Sequence, residues 1–202
     1  MNDRSPVVGV LALQGDYQKH QQVLATIGVD SLPVRRTKDF ACIDRLIIPG
    51  GESTVIADLL QRLGMEAAFA AFIRSRPVWG TCAGMVLLAA RVNDGSIRPY
   101  GAIDIAVDRN GYGRQLFSTV IPSHLSLDGR TEPLDLVFIR APRVTWAGDK
   151  VTTLLTRGDD PVLLSQGSVL VSAFHPELTG STFLHAYFSR QFCVTHMRDG
   201  KK

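Results

Sequence analysis

Short apolar runs, each followed by a stretch of helix-forming residues, recur through the first half of the chain and restrict its fold more than any other feature. Val7-Val8-Gly9-Val10-Leu11-Ala12-Leu13 and Arg45-Leu46-Ile47-Ile48 carry almost no polar alternation, which is the pattern of strands buried on both faces of a parallel sheet. Between them the spacing predicts a helix ending near Thr26 and closed by Gly28, then a strand over Ser31–Arg35. Helices over Val55–Leu63 and Met65–Arg74 follow, and then a strand around Trp79. Strands alternating with helices in this way imply βαβ units, hence a mostly parallel sheet with helices on both faces. In such sheets ligands bind beyond the carboxyl ends of the strands. Gln14, Gly50-Gly51 and Cys82 each lie just after a predicted strand, so they are expected on one rim.

The last of these strands runs Pro77-Val78-Trp79-Gly80-Thr81-Cys82 and turns at once into Ala83-Gly84-Met85-Val86-Leu87-Leu88-Ala89-Ala90, a run of good helix formers. A sharp strand-to-helix turn with small residues around one reactive side chain is the layout of a nucleophile elbow. A helix beginning there aims free N–H groups and a positive dipole end at the sulfur, which favours the thiolate. The competing reading is an inert buried cysteine. A nucleophile needs a base, and among five histidines His175 stands out. It ends the apolar run Ser168–Phe174, and Pro176 holds it extended. Residues two apart in an extended segment face the same side, which pairs His175 with Glu177. Cys82, His175 and Glu177 then form a nucleophile, a base and an orienter. The other histidines are read as ordinary, with His20 at the surface or an edge. Pro49-Gly50-Gly51-Glu52-Ser53 lacks the Gly-Lys-Ser/Thr ending of a phosphate-binding loop. Its better role is an oxyanion hole, with the Gly51 N–H paired to that of Ala83 behind the elbow. A tight turn capping the next helix, with Ser53 or Thr54 at the cap, is the plainer alternative.

The second half reads as shorter strands at Ala102–Val107, Leu116–Ile121, Leu134–Ile139, Val151–Leu155, Pro161–Leu164 and Ser168–Phe174. Asn110-Gly111 signals a hairpin, and a last helix is expected over Ser181–Phe192. The fold class is therefore α/β: one three-layer α/β/α flavodoxin-like domain over residues 1–202, mostly parallel, with an antiparallel extension in the second half. Residues 195–202 are expected to be a frayed tail. A chain of 202 residues with 45% hydrophobic and 20% charged residues suits one globular core. A net charge of +3 without a basic run gives no sign of nucleic acid. No apolar stretch is long enough to span a bilayer, and the start lacks a secretory layout. Three cysteines, an odd number in a chain that needs no staples, point to a reducing compartment and thus the cytoplasm. Cys42 and Cys193 are read as structural thiols. No metal-ligand spacing occurs and no cofactor is implied.

Taken together, Pro49–Ser53, Gly80-Thr81-Cys82-Ala83-Gly84 and Phe174-His175-Pro176-Glu177 resemble the class I, triad-type glutamine amidotransferases. Gly9–Gly15, Arg109–Gln115, Phe138–Pro142 and Pro176–Thr179 narrow the resemblance to the glutaminase subunits of pyridoxal 5′-phosphate synthase, over Val7–Phe192. The resemblance implies that Cys82 attacks the side-chain amide of L-glutamine, that His175 and Glu177 complete the triad, and that water releases glutamate from a thioester. It implies glutamine binding through Gly51, Glu52, Ser53, Arg109, Ile139 and Arg140. It also implies a partner: a separate (β/α)8 synthase subunit that receives the ammonia and builds the product from ribose 5-phosphate and glyceraldehyde 3-phosphate. Gln14 matches the family position near that contact. Another amidotransferase subunit, such as the one feeding histidine biosynthesis, is the alternative within enzymes. A binding or regulatory module that kept the fold without the chemistry is the alternative outside them, and it predicts a broken triad.

Overall fold

The computed structural model describes residues 5–112, 118–190 and 192. Its first strand, β1 (Val8–Leu11), is followed by α1 (Tyr17–Thr26), β2 (Ser31–Val34) and a 3-10 turn over Thr37–Cys42. Then come β3 (Arg45–Ile48), α2 (Ser53–Arg62), α3 (Glu66–Ser75), β4 (Val78–Thr81) and α4 (Ala83–Leu88). The second half contributes β5 (Ala89–Val92), β6 (Ile103–Asp108), β7 (Ser118–Leu127), β8 (Arg130–Ile139) and β9 (Arg143–Ala147). The chain continues with β10 (Thr152–Arg157), β11 (Asp160–Gln166), β12 (Val169–Ser172), a 3-10 turn over Pro176–Leu178, and α5 (Phe183–Arg190).

The main sheet has the order β10-β11-β12-β4-β3-β1-β2. From β2 to β12 every neighbour is parallel, and β10 and β11 extend it antiparallel. The parallel part therefore has the doubly wound order 2-1-3-4-5 of flavodoxin-like sheets, and the α/β expectation holds. β1, β3, β4 and β12 read as apolar runs because they are buried throughout or nearly so. β2 lies at the edge and carries Pro33, which is where a residue without an N–H is tolerated. Right-handed crossovers put α1 on one face and α2 and α3 on the other once the winding reverses. Contacts agree: α1 packs with α5, and α2 packs with both α3 and α4. Gly28 and Gly64, both at positive φ, end α1 and α2 with paired backbone bonds to the last turn, a Schellman stop.

Several local expectations shift. Most of the second-half strands do not widen the main sheet. β5, β6 and β9 form a three-stranded sheet, and β7 and β8 form a separate hairpin. That hairpin turns at Asp128-Gly129, both with positive φ, as a type I′ turn requires. Asn110-Gly111 makes no hairpin, because β6 pairs with β5 and β9 instead of the next strand. The helix behind Cys82 stops at Leu88, and Ala89 already belongs to β5. Cys42 is exposed at the end of its 3-10 turn, where Phe40 is the buried residue. Cys193, the tail over 195–202 and the strand start at Leu116 lie outside the described residues. No helix among the described residues is long and apolar enough to cross a membrane.

Candidate active site

Four strand ends converge at the carboxyl edge of the sheet. β1 delivers Gln14 and Gly15, β3 delivers Gly50 and Gly51, β4 delivers Cys82, and β12 leads through Ala173 and Phe174 to His175. The winding reverses between β1 and β3, the point at which a crevice opens in such a sheet. Cys82 sits at φ 47° and ψ −103°, a conformation that costs a non-glycine residue about 1–3 kcal/mol. The surroundings enforce it. The Cys82 N–H donates to the Ser172 carbonyl at 2.8 Å, tying the turn to β12. A Cβ on Gly84 would lie 2.2 Å from the Ile48 carbonyl oxygen, and one on Gly80 would lie 2.5 Å from Gly84 backbone. Only glycines let α4 start this close to β3 and β4.

His175 is fixed by its backbone, whose N–H donates to the Val137 carbonyl at 2.8 Å. Its Nδ1 lies 2.7 Å from Glu177 Oε1, with both side chains buried. Burial works against a charged His175, but hydrogen bonds to Cys82 and Glu177, with the charges on both, outweigh it and push the imidazole up to about 10. Burial likewise opposes the Glu177 carboxylate; His20 and His175 prevail and hold it below the ordinary range. Cys82 and His175 line one cavity, with Glu177 behind His175, and the Cys82 sulfur faces the Ile139 carbonyl at 3.8 Å.

A cavity of about 180 Å³ opens over Cys82. That is below the usual size of drug-sized ligand sites and suits a free amino acid. Gly51, Glu52, Ser53, Ala83, Arg109, Ile139, Arg140 and His175 all line it with Cys82. Glu52 is paired with Arg140 through Oε1 and with Arg109 through Oε2 at 3.7 Å. Arg109 also reaches Asp94 at 3.8 Å, and its side chain is 19% exposed against 58% for Arg140. Gln14 does not line the cavity. Its Oε1 accepts the Glu52 N–H at 2.8 Å from behind, bracing the loop. The loop also packs tightly on both sides: a Cβ on Gly50 would meet His175 Cε1 at 2.3 Å, and one on Gly15 would meet the Gly50 carbonyl at 1.8 Å. Ser53 is the first residue of α2, while Glu52 takes the cap position and makes no side-chain cap bond.

Sequence reasoning did not single out Asp16, Val86, Asn110 and Pro142, which also line the cavity. Asn110 belongs both to the predicted Asn110-Gly111 turn and to the Arg109–Gln115 stretch, and neither reading places it in the site. The larger miss is His20, which is fully buried against the triad. Its signal was helical spacing: His20 and Leu24, one turn apart, are the buried residues of α1. Among the described residues, one group has metal-ligand spacing, Asp16 with His175 and Glu177; a cation there would compete with the His175–Glu177 hydrogen bond.

Residues 10–194 match the SNO glutamine amidotransferase family. The pyridoxal 5′-phosphate synthase subunit PdxT of Koribacter versatilis is 45% identical over 195 residues, covering 96% of this chain and 99% of that relative. The PdxT subunit of Thermotoga maritima is 41% identical over 182 residues, covering 90% and 96%. A solved structure described as a glutamine amidotransferase superposes with a TM-score of 0.82 at 40% identity, over 90% of this chain and 96% of that one. A putative GMP synthase subunit from Thermoplasma acidophilum reaches a TM-score of 0.64 at 14% identity, over 93% of this chain and 94% of that one, and shares the fold alone. Since the match runs through every strand end that builds the cavity, the chain belongs to the SNO glutamine amidotransferase family.

Proposed function

We propose that the chain is the glutaminase subunit of a pyridoxal 5′-phosphate synthase. It hydrolyses L-glutamine to L-glutamate and ammonia, and passes the ammonia to a separate (β/α)8 subunit. That subunit makes the product from ribose 5-phosphate and glyceraldehyde 3-phosphate. The observation that carries the reading is the 2.7 Å His175–Glu177 pair set beside Cys82 in a cavity of amino-acid size. The names of the curated relatives support the synthase assignment, and a complete triad weighs against a binding module that has lost its chemistry. We place the reaction in the cytoplasm, where unpaired thiols persist.

In this mechanism the Cys82 sulfur, its proton already held by His175, attacks the side-chain amide carbon of glutamine. The amide oxygen becomes an oxyanion held by the Gly51 and Ala83 N–H groups. Ala83 is the first residue of α4, so its N–H has no partner within the helix. The Gly50 carbonyl is packed against Gly15, and a trans peptide sends the next N–H the opposite way, which supports Gly51 as the second donor. Collapse breaks the C–N bond; His175 gives its proton to the leaving nitrogen, and ammonia departs. Water, deprotonated by His175, then attacks the thioester, releasing glutamate and restoring the starting pair of Cys82 and protonated His175. Glu177 holds the Nδ1 proton of His175 throughout and stabilises the imidazolium. At the other end of the substrate, Glu52 takes the α-ammonium. Arg109, the more sheltered arginine, grips the α-carboxylate, with Arg140 assisting at the rim. Ser53 and the Ile139 carbonyl frame the amide.

Cys82→Ala is expected to abolish glutamate release from glutamine while the far-ultraviolet circular dichroism stays native. Assays run with and without the synthase subunit should show hydrolysis rising when it is added, because glutaminases of the resembled kind are weak alone. Retained turnover in Cys82→Ala would falsify the mechanism.

A further inference from the structure

Behind the triad lies a second set of buried polar groups that the reaction above does not use. His20 on α1 and His185 on α5 are both fully buried, with His20 Nδ1 only 2.9 Å from His185 Nε2. The other nitrogen of His20, Nε2, faces Glu177 Oε2 at 3.4 Å and Thr81 Oγ1 at 3.4 Å. Thr81 is the residue before Cys82. Trp79 walls the pair in, edge-on to both rings, with centroids at 5.8 and 4.9 Å. Two atoms in this pocket have no hydrogen-bond partner: Glu177 Oε2 and His185 Nδ1.

These two atoms decide how the protons are arranged. Burial drives both histidines toward the neutral form, so each ring carries one N–H. If that of His20 were on Nδ1, its bare Nε2 would point a lone pair at the Glu177 carboxylate. His185 would then carry its N–H on Nδ1, a buried donor without an acceptor, which is costly. The other arrangement removes both problems. His185 Nε2–H donates to His20 Nδ1, His20 Nε2–H points at Glu177 Oε2, and His175 Nδ1–H donates to Glu177 Oε1. Every donor then points along one chain of groups toward the triad carboxylate, which receives one proton on each oxygen. Only a lone pair, at His185 Nδ1, is left unmatched.

We infer that His20, itself held by His185, is a positioning residue of the triad: its Nε2–H pins the free oxygen of Glu177 so that the carboxylate keeps its plane toward His175. The inference rests on the glutaminase reading and adds a fourth and fifth member to it. The 3.4 Å gap is long for a hydrogen bond, as such contacts often are before substrate binds, and it is the one expected to tighten in the reacting complex. Neither histidine lines the cavity, so neither touches glutamine. The charged and titratable groups facing His20 are Glu177 and His175, His185 from α5, and Asp16 ahead of α1.

Two amides of different reach separate this role from mere filling of the core. Asn at position 20 retains a polar group near the place of Nδ1, within range of His185 but short of Glu177. Gln extends an amide N–H toward the place of Nε2. In the complex with the synthase subunit, His20→Asn should lower kcat for glutamine by about 10- to 100-fold, the effect of removing a group that orients another from behind. KM should stay unchanged, since no substrate contact is lost. The limb of kcat/KM set by His175 should move to lower pH, because a loosened Glu177 supports the imidazolium less well and His175 gives up its proton sooner. His20→Gln should restore most of kcat and return the limb. Rates are expressed per folded molecule, with the folded fraction read by far-ultraviolet circular dichroism, so that a partly unfolded variant is corrected for. Equal rates and pH profiles in Asn, Gln and wild type, or equal losses in Asn and Gln, would overturn the positioning role. Cys82→Ala runs alongside: if it alone stays active, the glutaminase reading has failed; if it is dead and His20→Asn is not impaired, only the present inference has.

Discussion

His175 carries most of the electrostatic consequence of this site. Folding raises it from 6.5 to about 10, so the folded chain holds a proton that the unfolded chain releases. Its contribution to stability is therefore complete below pH 6.5 and fades as the pH climbs through 10. Thermal melts of wild type and His175→Asn should show a larger gap in Tm at the acid end of that window; a constant gap would contradict the assignment. Sterics give a second test at the same residue. Gly50→Ala puts a methyl 2.3 Å from the His175 ring, a clash that ordinary overpacking prices at about 1–3 kcal/mol. Glutaminase activity should fall by an order of magnitude or more, with the fold retained by circular dichroism. His175 and Glu177 were legible in the sequence because their pairing is local, two residues apart in an extended segment held by Pro176. His20 was not, because its partners lie 61 and 165 positions away. Its neighbours Gln18, Lys19, Gln21 and Gln22 made the helix look polar throughout.

The strand-to-helix elbow shows how an element, not a side chain, supplies reactivity. β4 ends in Thr81, Cys82 bends to positive φ, and α4 begins at Ala83 against β3. Gly84 is the hinge of that packing, since any side chain there meets the Ile48 backbone at 2.2 Å. Gly84→Ala should cost about 1–3 kcal/mol, which for a chain of this length lowers Tm by roughly 2–4 °C per kcal/mol. Because the clash is with backbone, the strain should also reach Cys82, and its rate of alkylation by iodoacetamide should change. A wild-type alkylation rate in a variant of reduced Tm would separate the elbow from the stability effect and refute that coupling. The elbow was legible because glycine, cysteine and a run of helix formers occur at fixed offsets. Its end was not. Leu87, Leu88, Ala89 and Ala90 favour a helix on local propensity, and pairing with β6 at Ala89 overrides it. β7 and β8 were underestimated for a related reason. Their long alternating pattern includes Pro122 and Pro133, and each weakens a strand reading although both are paired in the hairpin.

At the scale of the molecule, the parallel order 2-1-3-4-5 is what assembles a site from residues spread between Gln14 and Glu177. The sequence made the rim legible, since each apolar run ends in a residue of the cavity or its brace. It could not show that Gln14 turns back to hold the Glu52 N–H, a contact that depends on β1 and β3 being neighbours. That brace gives a partner a route to the cavity: a subunit docking on the rim near Gln14 would press on the loop carrying Gly51 and Glu52. Gln14→Ala should therefore reduce the stimulation of glutamine hydrolysis by the synthase subunit more than it reduces the activity of the chain alone. An equal loss in both would restrict Gln14 to a structural brace. The division of labour between the two subunits has its own test, because ammonia formed in this chain is a reagent only when another site consumes it. In the complex carrying Cys82→Ala, glutamine should support no pyridoxal 5′-phosphate formation, while an added ammonium salt should restore it, since the synthase subunit itself is unaltered. Restoration by ammonium, measured through the absorbance of the product, follows only if the sole task of Cys82 is to free nitrogen from glutamine. If ammonium fails as well, Cys82 is needed beyond glutamine hydrolysis, and a transfer in which the nitrogen never leaves as free ammonia would have to replace the thioester scheme.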